Sequence, residues 1–131
     1  MTPYNVKNKK GQSLVETALI LPIILLLLTA IVDFGLLFNN YLTVSNAARE
    51  GARKAAVGGS DAQINSTVSN VASTLIPDRL TITITPTGSG RTQGDPVTVT
   101  VQYDYSMVTP IIGAILPGPI QLETSTTMRC E

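Results

Sequence analysis

Residues 11–35 read GQSLVETALILPIILLLLTAIVDFG, and this stretch decides the fold. No charged residue follows Glu16 until Asp33, and if Asp33 is tolerated the apolar run extends to Phe38. A helix of that length spans roughly 33 Å at about 1.5 Å per residue, which is enough to cross the hydrocarbon core of a bilayer. The sequence therefore predicts a transmembrane helix over residues 12–38.

Three lysines, Lys7, Lys9 and Lys10, precede this run, and no acidic residue accompanies them. Because basic flanks stay on the cytoplasmic side, the amino terminus is expected in the cytoplasm and the rest of the chain outside it. A cleavable secretory signal is the alternative, with a cut after Ala47. Its apolar core should be only about 7 to 15 residues, however, and the core here is longer.

The helix is predicted to continue outside the membrane over residues 39–58, because neither proline nor paired glycine intervenes before Gly58-Gly59. The apolar positions of this part recur at spacings of three or four, as in an amphipathic helix. Small residues allow another backbone to approach closely, either a helix of another subunit or the chain's own sheet, and the two are compatible. The predicted stripe is Tyr41, Val44, Ala48, Ala52 and Ala55, and the packing residues are Ala48, Gly51, Ala52 and Ala55.

Asp33 lies roughly 25 Å beyond Glu16 along such a helix, at about 1.5 Å per residue. We expect it near the outer interface, where its charge can reach headgroups or water at little cost.

Residues 59–131 are predicted to form a small α+β domain. A second helix is expected from Asp61 to Ile76, with Ser60 as its N-cap and Pro77 after its end. The period then changes to strict alternation, which is typical of strands with one buried face. The predicted strands cover Leu80–Thr85, Val97–Tyr105 and Ile120–Arg129; the first two form a hairpin with an exposed, mobile loop over residues 86–96, and the third is an edge strand.

The segment MVTPIIGAILPGP, residues 107–119, is uncharged and too short to span a membrane. It is predicted to contain at most one or two helical turns, around residues 111–116, and to fold over an end of the sheet. An exposed apolar patch that touches a partner or the membrane surface is the alternative.

The chain lacks the residues that most enzymes and metal sites use. It has no histidine, and Cys130 is its only cysteine. Asp95 and Asp104 do not have the spacing of metal ligands, and there is no phosphate-binding glycine loop and no basic patch for nucleic acid. The sequence therefore predicts a protein that is not an enzyme, with no catalytic residues, no cofactor and no metal site.

The stretch over residues 11–35, followed by NAAREGARKAAV at residues 46–57, resembles the TadE-like (TadE/TadG) family, minor pilins or pseudopilins of the tight-adherence, type IVc pilus system. The resemblance implies a pilin-like fold and a structural role in pilus biogenesis, adherence or secretion. It implies that a prepilin peptidase removes the leader, residues 1–11, by cutting between Gly11 and Gln12, and that Glu16 then recruits the subunit. The implied partners are that peptidase, other pilin or pseudopilin subunits, an inner-membrane assembly platform and the lipid bilayer; the implied location is the cytoplasmic membrane or a surface pilus.

The free energy of placing the Glu16 carboxylate in hydrocarbon is consistent with that role. A carboxylate drawn to the centre of the hydrocarbon costs up to about 3 kcal/mol. The ammonium group of a neighbouring subunit would neutralise it. Contact of Glu16 with headgroups or with its own helix terminus is the alternative. A different function also stays open: an uncleaved, single-pass envelope protein whose outer domain binds a partner by strand addition at residues 120–129.

Overall fold

The computed structural model describes residues 8–131 and confirms the predicted α+β fold. One long helix is followed by a short helix and a three-stranded antiparallel sheet. Two single-turn 3-10 helices, Pro77–Arg79 and Gly88–Gly90, complete the elements. The main elements are α1 (Asn8–Ala56), α2 (Asp61–Val71), β1 (Leu80–Thr85), β2 (Pro96–Tyr105), α3 (Pro110–Ile115) and β3 (Ile120–Arg129).

The helix α1 runs without interruption for 49 residues, although Pro22 lies inside it. It begins at Asn8, before the predicted membrane segment over residues 12–38, and its last turn contains the basic residues Arg53 and Lys54. Gly58 ends it in the left-handed region, at φ 80°, and donates its backbone N–H to the carbonyl of Ala55. A residue without a Cβ adopts this φ at no steric cost, which explains the stop.

The helix α2 begins where predicted but is shorter than predicted. Ser60 and Gln63 form a reciprocal capping box at its start. The predicted end at Ile76 is wrong: α2 ends at Val71, and the N–H of Leu75 then bonds to the carbonyl of Ala72 in a tighter, three-residue turn. This turn still buries Leu75 in the core, so Leu75 does not need the predicted extension of α2 to Ile76 in order to be buried.

The sheet has the order β1-β2-β3, which makes β3 an edge strand as predicted. Alternation along β2 buries one face against the helices, and the opposite face pairs polar side chains with β3. Across this outer face Thr98 meets Thr127, and Thr100 meets Ser125, with oxygens 2.8 and 2.7 Å apart. The inward residues of β2 are Val97, Val99, Val101, Tyr103 and Tyr105.

The core lies between the second half of α1, α2 and the sheet, so the first half of α1 takes no part in it. The strand β3 runs in the same direction as α1. Near its start, Leu122 lies beside Phe34 and Leu37 of the helix. Beyond its end, the N–H of Glu131 bonds to the carbonyl of Ala56 at 2.8 Å. The end of the sheet at Tyr105 and Ile120 therefore lies near the apolar half of α1.

The loop between β1 and β2 is mostly exposed, as predicted, and it also contacts α2. The side chain of Arg91 is only 8% exposed and forms an ion pair with Asp61. Arg91 also donates to the carbonyl of Gly59 at 2.9 Å, and the N–H of Gly88 donates to Asp61 at 3.1 Å. The loop is therefore held against the start of α2, which sequence composition alone did not indicate.

Candidate membrane and assembly interface

The first half of α1 exposes an unbroken apolar surface. Among the described residues, one helix is long and apolar enough to cross a membrane, and only 6% of its most apolar 18-residue window is buried. The large side chains from Leu14 to Phe38 are almost all exposed. An apolar surface of this size in contact with water is unfavourable, so it indicates burial in lipid or against other helices.

Gly11, Gln12 and Glu16 lie together at the amino end of this surface. All three are exposed, and the bond between Gly11 and Gln12 lies inside the first turns of α1. The side-chain amide of Gln12 donates to Oε1 of Glu16 at 3.3 Å, one helical turn away. Among the side chains of residues 11–131, no cation is paired with Glu16. A glycine at the junction lowers local helix stability by about 1 kcal/mol, which favours opening of this turn.

Asp33 is buried, which corrects the expectation that it reaches headgroups or water. It is 2% exposed, and Thr109 lies against it. The backbone N–H of Thr109 donates to Oδ2 of Asp33 at 3.4 Å, and the hydroxyl of Thr109 donates to the same oxygen. Oδ1 has no hydrogen-bond partner among residues 8–131. The carboxylate thus joins the helix to the segment between β2 and β3.

Tyr105 lies close enough to Asp33 for the two groups to interact. Burial raises the pKa of the Tyr105 hydroxyl above its usual value of 10.0, and the charges of Asp33 and Tyr103 raise it further. The hydroxyl has no hydrogen-bond partner in the described part of the chain. The end of β2 therefore favours a neutral tyrosine beside the carboxylate.

The small residues of α1 pack against the chain's own domain, which is the intramolecular alternative left open above. Ala48, Ala52 and Ala55 are at most 1% exposed, and Gly51 is buried beside α2 and β2. A Cβ at Gly51 would lie 2.6 Å from Cγ2 of Val68. The neighbours that occupy this face of α1 in the structure are α2 and the sheet.

Tyr41, expected on the same stripe, is 43% exposed. It lies with Phe34, Phe38 and Leu122 around a shallow apolar hollow of about 160 Å³. The stripe therefore begins at Val44, because the sheet covers the helix fully only from that level onwards.

Thr109 and Arg91 each hold together two distant parts of the chain, and the sequence predicted neither contact. Neither belongs to a motif, and each meets a partner far away in the chain, Asp33 and Asp61 respectively. The one available signal was the unusual position of Asp33 within an apolar helix, since a buried carboxylate requires donors. Among residues 8–131, no group of three or more potential metal ligands comes together.

A single amino-terminal apolar helix that supports a small α+β domain fits a membrane-anchored, pilin-like protein. The model of the TadE-like protein family matches residues 11–53, and this match confirms the resemblance over the apolar run and the helix that follows it. TadE-like proteins are a structural, pilus-related family involved in Tad pilus systems, with other pilin subunits and the membrane as partners. Neither the curated proteins nor the solved structures contain a match to the chain.

Proposed function

We propose that the protein is a minor pilin or pseudopilin-like structural subunit of a Tad (type IVc) pilus assembly or secretion system. A prepilin peptidase cuts it between Gly11 and Gln12 on the cytoplasmic side. Residues 12–38 then hold it in the cytoplasmic membrane, with residues 59–131 outside the cytoplasm. It functions in pilus biogenesis and adherence.

The observation that carries this proposal is the bare apolar half of α1 with Glu16 at its entrance. Apart from the contacts at Asp33 and Leu37, the domain covers α1 only from about Val44 onwards, so most of the surface from Leu14 to Phe38 is available to lipid before assembly and to other helices after it. A subunit that moves from a bilayer into a filament requires a helix surface that can pack first against lipid and then against other helices. Repeated packing of one face against another generates an open, helical assembly.

Glu16 has the role of a register group in this assembly. In the membrane it lies at the edge of the hydrocarbon, and in the filament the ammonium group of a neighbouring subunit, at its new amino terminus, neutralises it. A charge pair in a low-dielectric environment depends strongly on distance, so it favours one axial position of the subunit. The same pairing recruits the subunit through the inner-membrane assembly platform.

The domain that follows the helix limits which face of α1 other subunits can contact. It covers the small-residue face of α1, which includes Ala48 and Gly51, with α2 and the sheet. Contacts between subunits would therefore use the apolar half of the helix and the outer surface of the domain, and not that face.

The test is incorporation of Glu16→Ala into assembled pili, compared with Glu50→Ala. Glu50 is an exposed carboxylate on the same helix, outside the predicted membrane segment, so it controls for loss of a charge. We expect both variants to be cut normally. Incorporation of Glu16→Ala should fall by tenfold or more, as expected for a loss of about 1.4 kcal/mol or more, while Glu50→Ala should match the wild type. Normal incorporation of Glu16→Ala would contradict the proposed role.

A further inference from the structure

We propose that the segment over residues 107–116, which contains α3, is a second membrane contact that inserts into the outer leaflet beside α1. This inference rests on the proposed membrane anchoring and adds to it a lipid-binding surface on the domain itself. The protein would then contact the membrane through the spanning helix and through the apolar surface of residues 107–116. Two contacts would fix the orientation of the domain on the membrane.

The first step is the level of the segment relative to the bilayer. Counted from Glu16, a hydrocarbon core of roughly 30 Å corresponds to about 20 helical residues, which places its far boundary near residue 36. Asp33 therefore lies inside this boundary, by about 5 Å at 1.5 Å per residue. Because Thr109 donates two hydrogen bonds to Asp33, the start of α3 is held at the same level.

The second step is the chemistry of the surface at that level. Residues 107–119 contain no charged side chain. Val108 and Ile115 are 67% and 68% exposed, and Ile111 and Leu116 are about half exposed. Arg79 and Asp104 lie around a depression beside this segment, where their charges can reach lipid headgroups. An apolar surface with a polar rim is typical of an interfacial membrane contact.

The third step is the choice of occupant. The Thr109–Asp33 contact holds the start of α3 at the level of exposed apolar residues of α1, such as Ile31 and Phe34, which the bilayer covers if α1 spans it. Burial of Asp33 also has a clear reason in lipid, where an exposed carboxylate is costly and bonds from Thr109 reduce that cost. The geometry thus favours lipid over a second copy of the chain.

The experiment uses the full chain, with Cys130→Ser, in nanodiscs that hold one protein each. Single cysteines at Leu27, Ile115 and Val57 are labelled in turn with an environment-sensitive fluorophore and quenched with nitroxide lipids. Leu27 reports on the spanning helix, Ile115 on α3, and Val57 is an exposed apolar control at the opposite end of the domain. Val57 is roughly 36 Å from Asp33 along α1, at about 1.5 Å per residue.

We expect quenching at Leu27 and Ile115 to exceed that at Val57 several-fold. If Leu27 is quenched and Ile115 is no more quenched than Val57, the second contact is absent although the membrane anchor stands. If Leu27 is not quenched either, the anchor and the second contact are both wrong. If Ile115 is unquenched in single-chain discs but transfers energy to a labelled second copy in two-chain discs, the segment is a subunit interface and the proposal is overturned.

Discussion

Asp33 in the apolar helix accepts hydrogen bonds from both the backbone N–H and the hydroxyl of Thr109, 76 positions later in the chain. This pair joins two parts of the molecule that suit different environments. The apolar half of α1 has a surface suited to lipid, and the domain over residues 59–131 has a surface suited to water. The pair lies where β2 ends and β3 has not yet begun, so it also fixes the connection across that end of the sheet.

Thr109→Val should loosen the connection between β2 and β3. The substitution removes the hydroxyl donor and leaves the buried carboxylate of Asp33 with one longer bond, and a hydrogen bond to a charged group contributes about 1.5–3 kcal/mol. We expect faster amide hydrogen exchange over residues 107–116, with the strands unchanged. Thr83→Val, which changes an exposed threonine on β1, is the matched control. Equal exchange in the two variants would show that the contact does not hold the segment.

Gly51→Ala should destabilise the packing of α2 on α1. The added Cβ would lie 2.6 Å from Cγ2 of Val68 and 3.1 Å from Cγ1 of Val99. Overpacking of this kind costs about 1–3 kcal/mol in the free energy of unfolding. Chemical denaturation of the domain in detergent, followed by circular dichroism, measures the loss.

Gly35→Ala is the control for that substitution, because no atom lies within 4 Å of a Cβ at Gly35. It should leave the domain unchanged. Val68→Ala in the Gly51→Ala background should restore part of the lost stability, since it removes the clashing methyl group. A Gly51→Ala protein as stable as Gly35→Ala would mean that α2 does not pack this closely.

Tyr105→Phe should change how stability depends on alkaline pH. Because burial raises the pKa of Tyr105 in the folded state, the folded protein disfavours the phenolate. The contribution is fully present below pH 10.0 and is lost as the pH rises from there through the raised pKa. Each tenfold difference in proton affinity corresponds to about 1.4 kcal/mol.

As the pH rises above 10.0, the wild type should therefore lose stability faster than Tyr105→Phe. At neutral pH the variant should match or exceed the wild type, because the hydroxyl that it removes is buried and has no partner among the described residues. Tyr41→Phe, at an exposed tyrosine, controls for the loss of a phenol. Parallel pH curves for the wild type and Tyr105→Phe would contradict the environment described for Tyr105.

Local patterns in the sequence were sufficient to predict the main elements. The apolar run and the absence of breakers predict α1, and strict alternation predicts β1 and β2, because these periods reflect which face of each element is buried. Pro77 led to an overlong α2, since a proline limits where a helix can end but does not require it to continue that far. The chain leaves the helix earlier and still buries Leu75.

Polar contacts between residues far apart in the chain could not be predicted from local sequence patterns. Arg91 lies in a glycine-rich stretch that composition alone describes as mobile, yet its guanidinium pairs with Asp61, 30 residues earlier. Asp33 was expected at the water interface because nothing in the sequence indicates that Thr109 would cover it. Likewise, small residues such as Gly51 indicate a close contact but not whether the neighbour belongs to the same chain.

The central claim, that the protein is a pilin-like subunit processed at its amino end, is tested most directly by its intact mass and amino-terminal sequence. The protein is recovered from membranes of cells with and without the candidate prepilin peptidase. We predict a start at Gln12 that depends on the peptidase, with Glu16 as the fifth residue. An uncut amino terminus in the presence of the peptidase would contradict the claim and leave a plain membrane anchor, and a start at Ala48 would show that the apolar helix is a signal peptide.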